Sequence, residues 1–263
     1  NIIMDKIIAL VDCDSFFVSC EQAVNSELKN KPVCVLSNRD GCVIARSREA
    51  KKMGIRMGLP YFMPKSDFPG AIYLSGNHDL YRQTSAKVMN LLRELTPTVE
   101  VYSVDEAFVD LTGLERLYKK NSLDIARHIR AEILEKIDIP VSIGLSSSKT
   151  LAKLASDKAK NSLDGVYYIG AGNLMDELKH TPVEDIWGIG RRLSVTMRKN
   201  GILNAYELVQ KSDKFLDNLV GVHGLEMKHE LLGEMVSPVT NEVKLPKSIQ
   251  RTSALAKFTS DKE

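Results

Sequence analysis

Two acidic motifs could do chemistry together. Asp12 and Asp14 close the apolar run IIALV in the string VDCDSFF, and Asp105 with Glu106 sit at the tip of a predicted hairpin in SVDEAFVD. Carboxylates gathered at one sheet edge repel each other unless cations stand between them. Paired Mg²⁺ ions resolve that conflict, and two such ions roughly 3.5–4 Å apart stabilise the attacking and leaving oxygens of an in-line displacement at phosphorus. Mg²⁺ prefers such hard oxygen donors. For either motif taken alone, solvated punctuation at a strand end is the competing reading.

What brings the motifs together is topology. Runs rich in β-branched residues predict strands at Ile7 to Val11, Val33 to Leu36, Val43 to Ala45, Val99 to Tyr102, Phe108 to Leu111 and Val141 to Leu145. Tyr81, Thr84, Val88, Leu91 and Leu95 share one helical face. So do Ala126, Ile129, Ile133 and Ile137, in a helix opened by Ser122 as N-cap. If Val33 to Ala45 belongs to an inserted lobe, the remaining order is that of a ferredoxin-like split fold with an antiparallel sheet. Its first strand runs beside the third, which carries Asp12 toward Asp105 and Glu106.

The 263 residues, 43% of them hydrophobic, suffice for two or three compact units. A formal net charge of +2, from 36 basic and 34 acidic residues, gives no global field that would mark a nucleic-acid binder. Local clusters must carry that role. Between Ile44 and Arg56 stand Arg46, Arg48, Lys51, Lys52 and Arg56 against the single acid Glu49, a charge of +4 suited to a triphosphate or to a solvated amphipathic helix. Cys13, Cys20, Cys34 and Cys42 have no metal-ligand spacing and no disulfide framework, as expected in a reducing cytosol. No apolar run approaches the roughly 20 residues of a membrane span, so a cytoplasmic chain without membrane partners is expected. Asn1 to Ile3, before Met4, read as additions to the natural start.

After Ile169 strands give way to short helical segments punctuated by glycine, which reads as a separate all-α domain. Within it TPVEDIWGIGRRL resembles a helix-hairpin-helix, in which Gly188 and Gly190 let backbone amides approach a phosphate at a helix N-terminus, flanked by Arg191 and Arg192. A glycine turn between helices is the plain alternative.

VDCDSFFVSCE, CVIARSREAKKMGIRMGLP, SVDEAFVDLTG, VSIGLSSSKTLAKLASDKAKN and DIWGIG, in that order from Ile7 to Arg251, resemble the palm, fingers and thumb motifs of the Y-family DNA polymerases, most closely the bacterial UmuC-like branch. The resemblance implies an α+β protein: palm at 1–30 and 71–169, fingers at 31–70, thumb at 170–236, and at 237–263 a linker and the opening of a further DNA-gripping domain. Asp12, Asp105 and Glu106 would hold two Mg²⁺, with Mn²⁺ as a substitute, and the backbone carbonyl of Cys13 would be a further ligand. Phe17, beside Phe16, would lie under the sugar of the nucleotide, where the alternative is a core aromatic. Arg48 and Lys51 stand where the family usually has tyrosine and arginine, which keeps the charge but loses the hydroxyl; Lys51 lacks the planar fork, which Arg48 could restore from a neighbouring turn. Lys160 would contact the triphosphate, whereas Lys149, Lys153 and Lys158 read as a solvated helix face.

The implied activity is low-fidelity DNA synthesis across damaged bases, in DNA repair and the SOS response, with primer-template DNA and deoxynucleoside triphosphates as partners. A sliding clamp would be reached only through the region after the thumb, so weak DNA affinity and low processivity are expected. A nucleotide cyclase shares the palm and the acidic ligands but leaves the hairpin domain unexplained. A non-catalytic DNA-binding relic leaves the clustered carboxylates unexplained.

Overall fold

The computed structural model describes residues 6–37, 41–60 and 67–242. Asn1 to Ile3, parts of the inserted lobe, and the stretch SIQRTSALAKFTS lie outside the described residues. The elements are β1 (Ile8–Cys13), α1 (Phe16–Val24), β2 (Val33–Leu36), β3 (Val43–Arg46), α2 (Arg48–Lys52), β4 (Ile72–Ser75), α3 (His78–Leu95), β5 (Val99–Val101) and β6 (Glu106–Asp110). They continue through α4 (Leu114–Tyr118), α5 (Ser122–Ile137), β7 (Val141–Ser146), α6 (Lys149–Ala159) and β8 (Val166–Tyr168). The last helices are α7 (Leu174–Lys179), α8 (Arg191–Lys199), α9 (Ala205–Val209), α10 (Asp213–Val220) and α11 (Val222–Leu231).

Five strands form the main sheet in the order β5-β6-β1-β7-β8. β1 is central and buried along its whole length because both faces are covered. Ala9 and Val11 point into the core built with α3 and α5, while Ile8 and Leu10 point the other way, toward Phe108 and Ala152. β1 runs antiparallel to β6 and β7, as the split fold requires, and pairs Asp12 directly with Glu106. β8 adds a parallel edge beside β7.

The helix faces fall where the periodicity places them, with Tyr81, Thr84, Val88 and Leu91 of α3 and Ala126, Ile129 and Ile133 of α5 all buried. The cap of α5 is Asn121 rather than Ser122: the Asn121 side chain accepts from Asp124 N, and Ser122 becomes the first helical residue. A second sheet, β3-β2-β4, forms the inserted lobe, and because β4 pairs parallel to β2 this sheet extends past residue 70.

α6 lies across β7 and β1 at very short range. A Cβ on Gly144 would sit 1.9 Å from Ser156 N and 2.4 Å from Ala152 O, so only glycine lets the helix rest there. The outer side of the same helix belongs to another core, since Leu151 and Ala155 pack with Leu178, Met197, Leu208 and Leu216 of the helical domain. The segment after α11, expected to be a free linker, returns to the main sheet. Val239 is 9% exposed against Ile8, Leu10 and Phe108, and Asn241 fastens to β5, accepting from Val99 N at 2.8 Å and donating to Pro97 O at 3.2 Å.

Candidate active site

The acidic site lies where β1 ends beside the turn that opens β6. Asp12 and Glu106 face each other as cross-strand partners, and Cys13 N donates to Asp105 O at 2.9 Å, clamping the turn to the strand end. Ser103 Oγ donates to Asp105 Oδ1 at 2.6 Å and lies 3.4 Å from Glu106 Oε2. Burial pushes the Glu106 carboxyl above its ordinary range against the pull of Lys153, and the charge of Asp12 adds to the rise. Burial, then Asp105 and Asp12, hold the Cys13 thiol far above its usual value. That side chain is 2% exposed and packs in the main core.

Two ammonium groups sit on these carboxylates. Lys153 Nζ bonds Glu106 Oε1 and lies 3.4 Å from Asp12 Oδ2, while Lys160 Nζ is 2.8 Å from the same Asp12 oxygen. Burial alone would lower both lysines; the hydrogen bond to Glu106 and the Asp12 charge outweigh it for Lys153, and Asp12 does so for Lys160. Among the described residues no three Asp, Glu, His or Cys side chains form a ready-made metal cage. The lysines nevertheless test the fit: oxygens that draw two cations into a half-buried site are the hard donors a divalent ion takes.

Lys153 corrects its reading as a solvated residue. So do Lys149, which is 4% exposed with its Nζ 2.7 Å from Glu100, and Lys158, 2.5 Å from Glu177. The missed signal for Lys153 was its spacing of two helical turns from Lys160, which puts both on one face.

Asp14 stands slightly apart, held by Ser142 Oγ at 2.8 Å and by its own N–H to Pro140 O at 2.9 Å. Its carboxyl is raised by burial first and by Asp12, against the Ser142 hydrogen bond. It opens onto a cavity of about 670 Å³ whose cationic walls are Arg48, Lys51, Lys160, Lys29 and Arg130. Of the five basic residues between Ile44 and Arg56, only Arg48 and Lys51 reach this cavity. Arg46 instead turns inward and donates to Ile55 O. Lys51 Nζ donates to Ser15 Oγ at 3.1 Å, and partial burial, then Arg46 and Lys160, hold it below the ordinary ammonium range.

Phe16, expected to contact the nucleotide, is 4% exposed and packs its ring in the main core. Phe17, one residue on and so about 100° around the helix, keeps an accessible face and stacks on Tyr81 with centroids 4.6 Å apart.

In the helical domain the proline-initiated segment is a short 3₁₀ turn, Val183–Asp185, and the hairpin follows it. Gly188 takes φ +91°, which demands glycine, whereas Gly190 at φ −80° caps α8, which begins at the exposed Arg191. Gly188 also lines a cleft of about 1480 Å³ running between α10, α11 and strand β5. Trp187 closes its wall, donating to Tyr102 OH at 3.1 Å, three residues from Asp105.

Residues 11–157 match the impB/mucB/samB family. Protein UmuC of Salmonella typhimurium is 42% identical over 234 residues, 86% of this chain and 54% of that protein. DNA polymerase IV of Saccharolobus solfataricus is 33% identical over 246 residues, 91% of this chain and 69% of that one. Among solved structures, DinB from Sulfolobus solfataricus superposes with a TM-score of 0.76 at 32% identity, over 89% of this chain and 69% of the other. The insertion ternary complex of Dbh DNA polymerase does so with a TM-score of 0.78 at 31% identity, over 89% and 70%. The chain spans about half the length of UmuC, SamB and ImpB, the curated relatives it matches first.

Proposed function

We propose that this chain, which belongs to the impB/mucB/samB family, the Y-family DNA polymerases, adds deoxynucleotides to a primer 3′ end opposite damaged or undamaged template bases. The observation that carries the reading is the Asp12–Glu106 pair, drawing two lysine cations of which Lys160 also lines, with Arg48 and Lys51, the neighbouring cavity. An acidic pair beside a cationic chamber suits a reacting α-phosphate next to two further phosphates.

In the step proposed, the primer 3′ hydroxyl gives up its proton to solvent as its oxygen bonds to the α-phosphorus, the bond to the bridging oxygen breaks, and pyrophosphate leaves with that electron pair. Asp12, Asp105, Glu106 and the Cys13 carbonyl would hold two Mg²⁺, with Mn²⁺ able to replace them. Bound there, the ions neutralise charge on the attacking and leaving oxygens. Arg48, Lys51 and Lys160 bind and orient the triphosphate, and Phe17 lies under the sugar. Positioning and charge stabilisation account for most of the rate in such transfers.

The main-sheet domain takes the part of the palm, the inserted lobe that of the fingers and the helical domain that of the thumb. The cleft walled by Gly188 and Tyr102 would carry the duplex, with the hairpin amides and Arg191 on backbone phosphates, contacts that position DNA without reading sequence. A sliding clamp would be reached through the region beyond the described residues. The small fingers lobe encloses the nascent pair loosely, which supports low fidelity and lesion tolerance.

Primer extension with Mg²⁺ and single deoxynucleotides tests the reading. Template-matched addition is expected, falling at least about a thousandfold in the Asp105→Ala, Glu106→Ala double variant. Equal addition by parent and variant would refute the site.

A further inference from the structure

Helix α6 is held at its two ends by different domains. From its middle Lys153, and from its C-terminal end Lys160, grasp the acidic pair. At its N-terminal end it meets Glu230, a carboxylate from α11 that is only 7% exposed and uses both oxygens. Glu230 Oε2 accepts from Thr150 N at 3.0 Å, and Oε1 accepts from Val236 N at 2.8 Å. The Glu230 carbonyl accepts from Ser148 Oγ at 2.6 Å, and that hydroxyl in turn caps α6 by accepting from Leu151 N at 3.3 Å. Beside them Lys149 Nζ spans Glu100 Oε2 of β5, which also accepts from Thr240 N at 3.1 Å. A carboxylate at a helix N-terminus is favoured by the helix dipole, and burial strengthens each of these bonds.

The sheet beneath seats α6 through Ala152, against Ile8, Leu10 and Phe108, and through the close rest on Gly144. The polar anchors at Glu230 and at the acidic pair add to that seat, and the grip on the acidic pair is the one that metals and nucleotide would loosen. We propose that Glu230, together with Ser148, is a positioning residue: from the thumb it sets the axial placement of α6, and so the placement of Lys153 and Lys160 at the reacting phosphates. A helix transmits such a shift rigidly, since Lys149 and Lys160 are only about 16 Å apart along it. The catalytic half of this inference rests on the polymerase reading above. The structural half does not.

Two measurements on the intact chain test it. The first is zero-length carbodiimide coupling in Mg²⁺-free buffer, which condenses a lysine amine and a touching carboxylate to an amide with loss of water to the reagent; the Lys153–Glu106 and Lys160–Asp12 peptides are quantified. Their yield is expected to fall severalfold in Glu230→Ala and to stay at the parent level in the control Glu234→Ala, an exposed residue outside the junction. Unchanged yield in Glu230→Ala overturns the proposal, whatever the activity of the parent. The second is a double-mutant cycle on nucleotide insertion. Glu230→Ala is expected to lower insertion on the order of tenfold in the parent but hardly at all in a Lys153→Ala, Lys160→Ala background, while the urea midpoints of the two changes add. Additive losses in both insertion and stability overturn the proposal. Should Glu230→Ala fail to fold, Ser148→Ala removes the neighbouring bond to the Glu230 carbonyl and is expected to shift both readouts in the same direction.

Discussion

Lys149 and Lys153 stand one turn apart on the same helix, and they differ in how many carboxylates they hold. The Lys149 side chain is 5% exposed and pairs with one carboxylate, Glu100, itself 13% exposed. The Lys153 side chain is 22% exposed and reaches two, Asp12 and Glu106. Residue type and helical position are nearly the same. What separates them is that two facing carboxylates repel each other and call for more positive charge, whereas a single carboxylate is matched by one ammonium.

That contrast predicts opposite signatures. Lys149→Ala leaves Glu100 buried without its partner, a loss of about 3–5 kcal/mol, which calorimetry should read as a fall in Tm of roughly 10 °C that Mg²⁺ does not restore. Equal restoration by Mg²⁺ would make the two sites alike. Lys153→Ala should lower nucleotide insertion roughly 10–100-fold. In EDTA it should also lower Tm, because only Lys160 then offsets the repulsion between Asp12 and Glu106, and Mg²⁺ should raise its Tm more than it raises the parent's. A smaller effect is expected next door at Asp14, whose folded carboxyl titrates above its ordinary value because of burial and Asp12. A raised carboxyl weakens the folded state as pH climbs through that folded value and imposes nothing below the unfolded one. Asp14→Asn, which can still accept from Ser142, should therefore be more stable than the parent in urea at neutral pH without metal, the gap closing toward about pH 4. A variant less stable at neutral pH would mean the charge itself is needed.

The central strands and the two long helices were legible because period 2 and period 3.6 are written locally in apolar residues. β4 and β8 were not: their four and three residues are largely half-exposed, and each is ordered by a parallel partner distant in sequence. The start of α5 slipped by one because Asn121 and Ser122 can both cap, and only the structure shows whose oxygen reaches Asp124 N. At the site the carboxylates could be read because topology alone pairs Asp12 with Glu106. Lysine partners are long-range, 141 residues apart for Lys153 and Asp12, and nothing local distinguishes such a lysine from a solvated one. Phe16 and Phe17 were read together because a doublet carries no phase, while on a helix only one of two successive rings can face the site.

Asn241 has a consequence of another kind. β5 is the outer strand of the main sheet, and an outer strand leaves amides and carbonyls open to pairing with any passing chain. The Asn241 amide fills one donor and one acceptor there, at Val99 and Pro97, much as a further strand would. The same side chain that fastens the exit segment thereby shields the sheet from edge-to-edge aggregation, so a shortening that removed it would be felt first as poor solubility.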